Sequence, residues 1–440
     1  MAYDVVIVGA GPAGIFAALE LAKQQVKVLM IEKGKDIDQR VCISRTQKKD
    51  CMNCKPCSIV CGWGGAGAYS DGKLTLSPEV GGHMEQYIGK EKLIECIDYV
   101  DQQYVYFGGP QKIYGLQNPD AIHRFQQKAL QAELKLIPVG IRHLGTGRCQ
   151  EILKKMKMHL LDLGVEIITC TEVDDILVDQ DRVVGVRVAD RELHGHCVII
   201  APGREGSQWL TELATKWGLQ REINPVDIGV RIEVPATIME PLTKLFYEAK
   251  LIYYAKSFDD KVRTFCMNPY GEVVLENNDG VVTVNGHSHA YQKTDNTNFA
   301  ILVSKTFTEP FKDPIAYGKY IASLANLLGG GVIVQRLGDL LAGQRTNEHR
   351  LSKSLTIPTL SEATPGDLSL VLPYRHMMAI VEMLKALNDI VPGIYGRYTL
   401  LYGVEVKFYS SRLQVSKNLE TSIRNLYVAG DCLLYTSRCV

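Results

Sequence analysis

The spacing of apolar residues changes twice within the first thirty-two positions of the chain. Val5-Val6-Ile7-Val8 is a short unbroken apolar run, and Gly9-Ala10-Gly11-Pro12-Ala13-Gly14 follows at once. Ile15 to Lys23 then places apolar residues at helical spacing, and Val28-Leu29-Met30-Ile31 is a second run closed by Glu32. A continuous run of this length predicts a strand buried on both faces, and the 3.6-residue period predicts a helix. The order is strand, glycine turn, helix, strand. Short apolar runs recur at Gly164-Val165-Glu166-Ile167-Ile168, at Cys197 to Gly203 and at Asn425 to Asp431. Between about 226 and 398 the pattern becomes alternating. Ile228, Val230, Ile232 and Val234 interleave with Gly229, Arg231 and Glu233, which predicts a half-buried strand. Val273 to Leu275, Val281 to Val284 and Phe299 to Val303 read similarly, so a mostly antiparallel sheet is expected. Asp313-Pro314 supplies an N-cap and a first-turn proline for a helix ending near Gly329-Gly330-Gly331. A second helix runs from about Tyr374 to Ile390 and stops at Pro392-Gly393. Residues 79–140 read as a polar helical insertion.

The opening turn carries chemistry. Gly9 permits a tight turn, Gly11 lets backbone approach a pyrophosphate, and Gly14 lets the helix pack closely on the strand. The helix N-terminus offers unpaired N–H groups and a positive dipole end to phosphates. Glu32, eighteen residues beyond Gly14, sits where a carboxylate accepts from ribose hydroxyls. Lys33 follows it. These residues together point to a bound dinucleotide.

Four cysteines, Cys51, Cys54, Cys57 and Cys61, fall within eleven residues. Their spacing matches the bacterial ferredoxin run, except that Gly62 stands where proline closes that motif. Three readings are open: a metal or iron–sulfur site, with zinc as a variant; a dithiol at Cys54-Lys55-Pro56-Cys57 that exchanges electrons; or a cysteine-rich loop without turnover. Gly62-Trp63-Gly64-Gly65-Ala66-Gly67 comes next, then Asp71-Gly72-Lys73. Glycine at this density suggests backbone packed edge-on against a planar ring, through Gly64, Gly65 and Ala66. Lys73 or nearby amides would stabilise negative charge there.

Composition narrows the class. Forty-nine basic residues balance forty-nine acidic ones among 440, so no net field draws nucleic acid or an anionic membrane. No apolar run approaches the roughly twenty residues of a membrane-spanning helix. The first strand begins at once, and a cytoplasmic location is expected.

The run from Cys51 to Lys73 resembles the signature of a family of uncharacterised FAD-dependent dehydrogenases related to the glutathione-reductase-type NAD(P)/FAD-dependent oxidoreductases. So do Arg142 to Thr146, Thr264 to Pro269, Val284 to Ser288, Thr297 to Ala300, Val334 to Asp339 and Glu405 to Arg412. The resemblance implies an α/β fold: a Rossmann-like FAD-binding domain of glutathione-reductase type with an inserted α+β substrate domain. It also implies that the segment ending at Val173 meets the adenine, that Gly203 closes a return strand, and that Gly430-Asp431 reaches the ribityl chain. The expected division is 1–78 and 141–225 for the FAD domain, 226–398 for the substrate domain, and a return to the FAD domain over 399–431. Residues 432–440 read as a foreign tail, since Cys432 to Ser437 matches one frame of a transposon sequencing adapter; the natural chain would then continue with a helix. The expected activity is an FAD-dependent oxidoreductase acting on a small molecule, with NAD(P)H or a ferredoxin-like protein as donor. A flavoprotein hydroxylase and a flavin-carrying sensor are the alternatives. Lys73, His287 and Glu405 are catalytic candidates by residue type, with His289, Arg336 and Arg345 behind them.

Overall fold

The computed structural model describes residues 2–47, 52, 54–145, 147–222, 224–278, 280–288, 293–308, 311, 313–407 and 412–430. The chain divides into two compact units. The first comprises 1–111, 144–224 and 409–440; the second comprises 112–143 and 225–408.

The first unit is built on a seven-stranded mixed sheet. Tyr3–Val8 lies at its centre, parallel to Val28–Ile31 on one side and to Arg191–Ile200 on the other. Glu166–Ile168 extends the sheet beyond Val28–Ile31, also parallel. The two opening apolar runs are buried at every position but for small exposures at their ends, as strands covered on both faces must be. Their side chains alternate between two cores. Val5, Ile7, Val28 and Met30 join one with the helix Pro12–Ala22, while Val6, Val8, Leu29 and Ile31 join the other with Leu210 and Leu213. Arg191–Ile200 serves two further partners along its length. Its first residues pair antiparallel with Arg182–Val188, and its last three pair parallel with Leu426–Val428.

The second unit carries an eight-stranded sheet, antiparallel but for one edge pair. Val226–Pro235 is central, flanked by Asn296–Lys305 and Leu400–Lys407. Its even-numbered residues, Val226 to Val234, face a core shared with the helices Pro119–Gln131, Ala236–Phe246, Pro314–Gly329 and Tyr374–Ile390. Asp313 caps its helix as expected, accepting from the Ala316 N–H at 2.9 Å.

Three expectations are corrected. Val226–Pro235 is buried on both faces, because a hairpin of Glu272–Asn278 and Val281–His287 covers the polar one. That hairpin is a separate two-stranded sheet, not part of the large one. The boundary near 398 moves: Leu400–Lys407 hydrogen-bonds within the second unit's sheet, so the chain re-enters the first unit only after it. The segment 79–140 is helical over Lys90–Tyr106 and Pro119–Gln131, yet it is not one insertion, since it is divided between the units at 111/112.

Candidate functional site

Gly9 ends the central strand with φ of +103°, a region that disfavours side chains. A Cβ there would lie 2.2 Å from the Ala201 carbonyl oxygen, which follows the neighbouring strand. A Cβ on Gly14 would lie 2.0 Å from the Gly9 carbonyl oxygen, so the helix cannot seat on the strand with any other residue. Gly11 is different. Its Cβ would meet nothing within 4 Å, and it is the N-cap of Pro12–Ala22, with no side chain capping that end. The turn thus presents open space directly before a helix N-terminus, the arrangement that accepts a phosphate.

Two further glycine segments border this space. Gly64 N–H donates to the Ala10 carbonyl at 2.7 Å, and a Cβ on Gly65 would sit 3.2 Å from Gly11 Cα. The parallel strand Leu426–Val428 ends at Ala429, whose N–H donates to Ile200 O at 2.9 Å. A Cβ on Gly430 would then lie 3.0 Å from that of Ala13. Gly430 therefore shares one rim with the opening turn; Asp431 lies outside the described residues. Gly203 stands just past Ala201, with open space on its Cβ side. Ala66 is half-buried in the short turn Gly65–Tyr69.

Glu32 is buried and its carboxylate is heavily used. One oxygen accepts from Ala10 N at 2.8 Å; the other accepts from Gly34 N at 2.8 Å and Gly62 N at 3.0 Å. Three separate backbone segments are gathered by one side chain. Cys170 N and Thr171 N donate to Gly34 O and Glu32 O, bringing the approach to Val173 alongside. The Val173 side chain itself packs in the core. Lys33 Nζ reaches Glu205 O at 3.3 Å.

Arg40, which has no motif in the sequence to announce it, is buried beside the glycine run. It donates to the carbonyls of Ser58, Ile59, Trp63 and Gly65 at 2.7–2.9 Å. Burial draws its pKa down, partly offset by Tyr69, whose ring lies 5.0 Å from the guanidinium carbon. Trp63 is fully buried, with Nε1 donating to Leu153 O at 2.8 Å. Lys73 is also buried, 3.0 Å from Asp71.

The described thiols have unlike surroundings. Cys54 is exposed, Cys57 half-buried and Cys61 buried, and burial pushes the Cys61 thiol up to about 12. Cys61 is therefore a neutral packed thiol near pH 7. Among the described residues no three His, Cys, Asp or Glu side chains are grouped to hold a metal. Cys51 lies outside those residues.

In the second unit, Glu405 is fully buried and forms a two-pronged pair with Arg231, at 2.8 Å on each oxygen. Lys407 lies 3.1 Å from the same carboxylate. Burial works against the Arg231 charge, but Glu405 and Cys266 together outweigh it and raise the pKa. Asn298, Asn285 and the Cys266 carbonyl accept the remaining Arg231 hydrogens. Gly286 presses on this network: a Cβ would fall within 2.5 Å of Asn298, Arg231 and Asn268. Four of the segments noted in the sequence, around Cys266, Asn285, Asn298 and Glu405, thus meet at one guanidinium. His287 is half-buried at the end of the hairpin, paired in register with Glu272. His289 is outside the described residues. Two strand residues on from Arg231, Glu233 is buried with neutral donors around it: Thr359, Tyr402 and Asn296. Burial raises its pKa.

Comparison with known proteins yields two family matches. Residues 225–408 match the model of the FAD-dependent protein, C-terminal domain-like family, and residues 3–54 match that of the pyridine nucleotide-disulphide oxidoreductases. An uncharacterised protein of Clostridium beijerinckii is 26% identical over 450 aligned positions, covering 97% of this chain and 76% of its own length. Among solved structures, L-proline dehydrogenase from P. horikoshii is 11% identical with a TM-score of 0.40, over 99% of this chain and 89% of that one. L-amino acid deaminase from Proteus vulgaris is 12% identical with a TM-score of 0.32; the match spans 53% of this chain and 61% of the deaminase. Among the described residues no helix is long and apolar enough to cross a membrane. One family model thus falls on the opening turn and the other on the second unit's sheet, and they carry this chain's likeness to pyridine nucleotide-disulphide oxidoreductases and to FAD-dependent proteins respectively.

Proposed function

We propose that FAD lies along the rim of the first unit and that the protein passes electrons between it and a small organic molecule. The observation that carries this reading is the adjacency of Gly430 to Ala13, with open space at Gly11 between the glycine segments. In this reading the amides at the start of Pro12–Ala22 receive the pyrophosphate, favoured by the helix dipole. Gly9, Gly11, Pro12, Ala13 and Gly14 form that floor, and Gly64, Gly65 and Ala66 form a wall of bare backbone. Gly203 and Gly430-Asp431 close the rim, with Asp431 taking the ribityl hydroxyls, while the backbone near Val173 faces the adenine.

Glu32 has two oxygens with about four acceptor positions, three of them taken by amides. It therefore organises the site first and offers one remaining position to a ribose hydroxyl, with Lys33 beside it. Bound FAD supplies a two-electron carrier; the chain supplies orientation, charge balance and a proton path. Lys73 joins that charge balance through its pair with Asp71, and Glu405 acts by fixing Arg231. His287, half-exposed, is the proton carrier of the three catalytic candidates. Cys54 and Cys57 form the electron-exchanging thiol pair, with NAD(P)H or a ferredoxin-like protein as the ultimate donor.

Purified protein is expected to show resolved flavin absorption and to release about one FAD per chain on denaturation. Iron, zinc and free-thiol assays on the same sample separate a thiol pair from a metal site. A folded chain that neither retains FAD nor takes it up when the cofactor is added overturns the reading.

A further inference from the structure

We propose that Arg40 is a positioning residue that sets the affinity for FAD by holding the glycine turn against the nucleotide turn. This rests on the cofactor reading above and names a residue that reading does not use.

Residues 58–64 form turns and bends and Gly65 only opens a short 3-10 helix, so most carbonyls between Ser58 and Gly65 lack the partners that an α-helix or strand provides. Four of them, on Ser58, Ile59, Trp63 and Gly65, converge on one guanidinium, whose planar fork supplies four separate N–H bonds. The same stretch has its opposite polarity satisfied elsewhere, because Gly62 N–H goes to Glu32 and Gly64 N–H to Ala10 O. Glu32 also holds Ala10 N–H, so the amides of both turns are tied to one carboxylate. Arg40 and Glu32 thus grip one irregular segment from its two polar sides.

The fit is close. A Cβ on Gly62 would lie 2.6 Å from Arg40 Cδ, and the Tyr69 ring covers the guanidinium. The Tyr69 hydroxyl in turn donates to the Arg40 carbonyl. Arg40 is 3% exposed and spends its donors on backbone, so its influence on a ligand at Gly11 runs through Gly64 and Gly65. Releasing four carbonyls frees those two glycines from the wall they form. Preorganisation, rather than a direct contact, is what the substitution removes.

The test is the dissociation constant for FAD, read by quenching of flavin fluorescence, in wild type, Arg40→Ala and Arg40→Lys. Partners that orient metal ligands typically matter by about 10- to 100-fold, and by analogy a loss of that size is expected in both variants. Lysine keeps the charge but cannot fork to four carbonyls. Millimolar guanidinium chloride should restore much of the affinity of Arg40→Ala, whereas equal sodium chloride should not. Leu210→Ala, in the other core of the same unit, serves as a control that lowers stability without changing the constant. Arg40 variants that bind FAD as wild type does overturn the proposal, as does failure of guanidinium to rescue a folded Arg40→Ala. If Arg40→Ala does not fold, Arg40→Lys alone decides. A wild-type chain that binds no FAD would instead overturn the cofactor reading itself.

Discussion

The two units place buried charge in opposite ways. In the first, Glu32 and Arg40 spend their hydrogen bonds on main-chain groups and shape irregular backbone into a cradle. In the second, Arg231, Glu405 and Lys407 pair with one another and with amide side chains between a sheet and its covering hairpin. Charge that binds backbone leaves a surface free for a ligand. Charge that binds charge fills the space it occupies and fixes how two sheets meet. The contrast matches the first pattern to the proposed cofactor site and the second to rigidity.

The largest expected effect tests the second pattern. Arg231→Met removes the two-pronged partner of a buried carboxylate, leaving Glu405 to Lys407, and should cost about 3–5 kcal/mol in a denaturant titration. Combining it with Glu405→Leu should recover part of that loss, since the buried carboxylate is then gone while Lys407 keeps Glu276 at 3.6 Å. If the double variant is no better than the single one, the network is doing something other than neutralising itself.

His376, on the second unit's helix Tyr374–Ile390, gives the next effect. It is 2% exposed, neither ring nitrogen has a hydrogen-bond partner among the described residues, and burial pulls its pKa from 6.5 to about 4. The unfolded chain therefore binds the proton more readily. Stability contributed by the neutral ring is intact above pH 6.5, falls as the pH drops toward 4, and amounts to about 3 kcal/mol at most. His376→Leu should flatten that acid limb of the stability profile. A limb of unchanged steepness would place the acid sensitivity elsewhere.

The smallest effects sharpen the reading of the first unit. Gly14→Ala forces a carbon against a backbone oxygen and should cost about 1–3 kcal/mol, with loss of flavin following from the displaced helix. Gly11→Ala meets no neighbour and should leave the melting of cofactor-free protein within about 0.5 kcal/mol while weakening FAD binding. Equal effects of the two on cofactor-free stability would break the distinction between packing glycine and ligand-facing glycine.

What the sequence discloses follows the same divide. Gly9, Gly14, the two opening strands, the Asp313 cap and the helix Tyr374–Ile390 are all legible, because each is enforced by local sterics or by periodicity. Arg40 is not. It is one basic residue in a polar stretch, and its four acceptors are carbonyls, which carry no residue identity. Arg231 and Glu233 are misread as the wet side of a strand, because alternation reports that one face is apolar and says nothing about what covers the other. A signal does exist. Asn268, Asn285, Asn296 and Asn298 crowd neighbouring strands where asparagine is disfavoured, and such amides ask for buried partners. Leu400–Lys407 is assigned to the wrong unit for a related reason: an apolar strand does not state which sheet it joins.

The shared strand Arg191–Ile200 has a consequence for biosynthesis. Its last three residues wait for Leu426–Val428, and all of the second sheet but its edge strand Lys135–Ile137 is translated between them. At roughly 5–20 residues per second, the ribosome needs on the order of ten seconds or more to cover that distance. The nucleotide turn is thus among the first structures made and among the last completed. A nascent chain can assemble most of its second unit before Gly430 arrives beside Ala13, so the rim at the opening turn is completed late in the life of each newly made molecule.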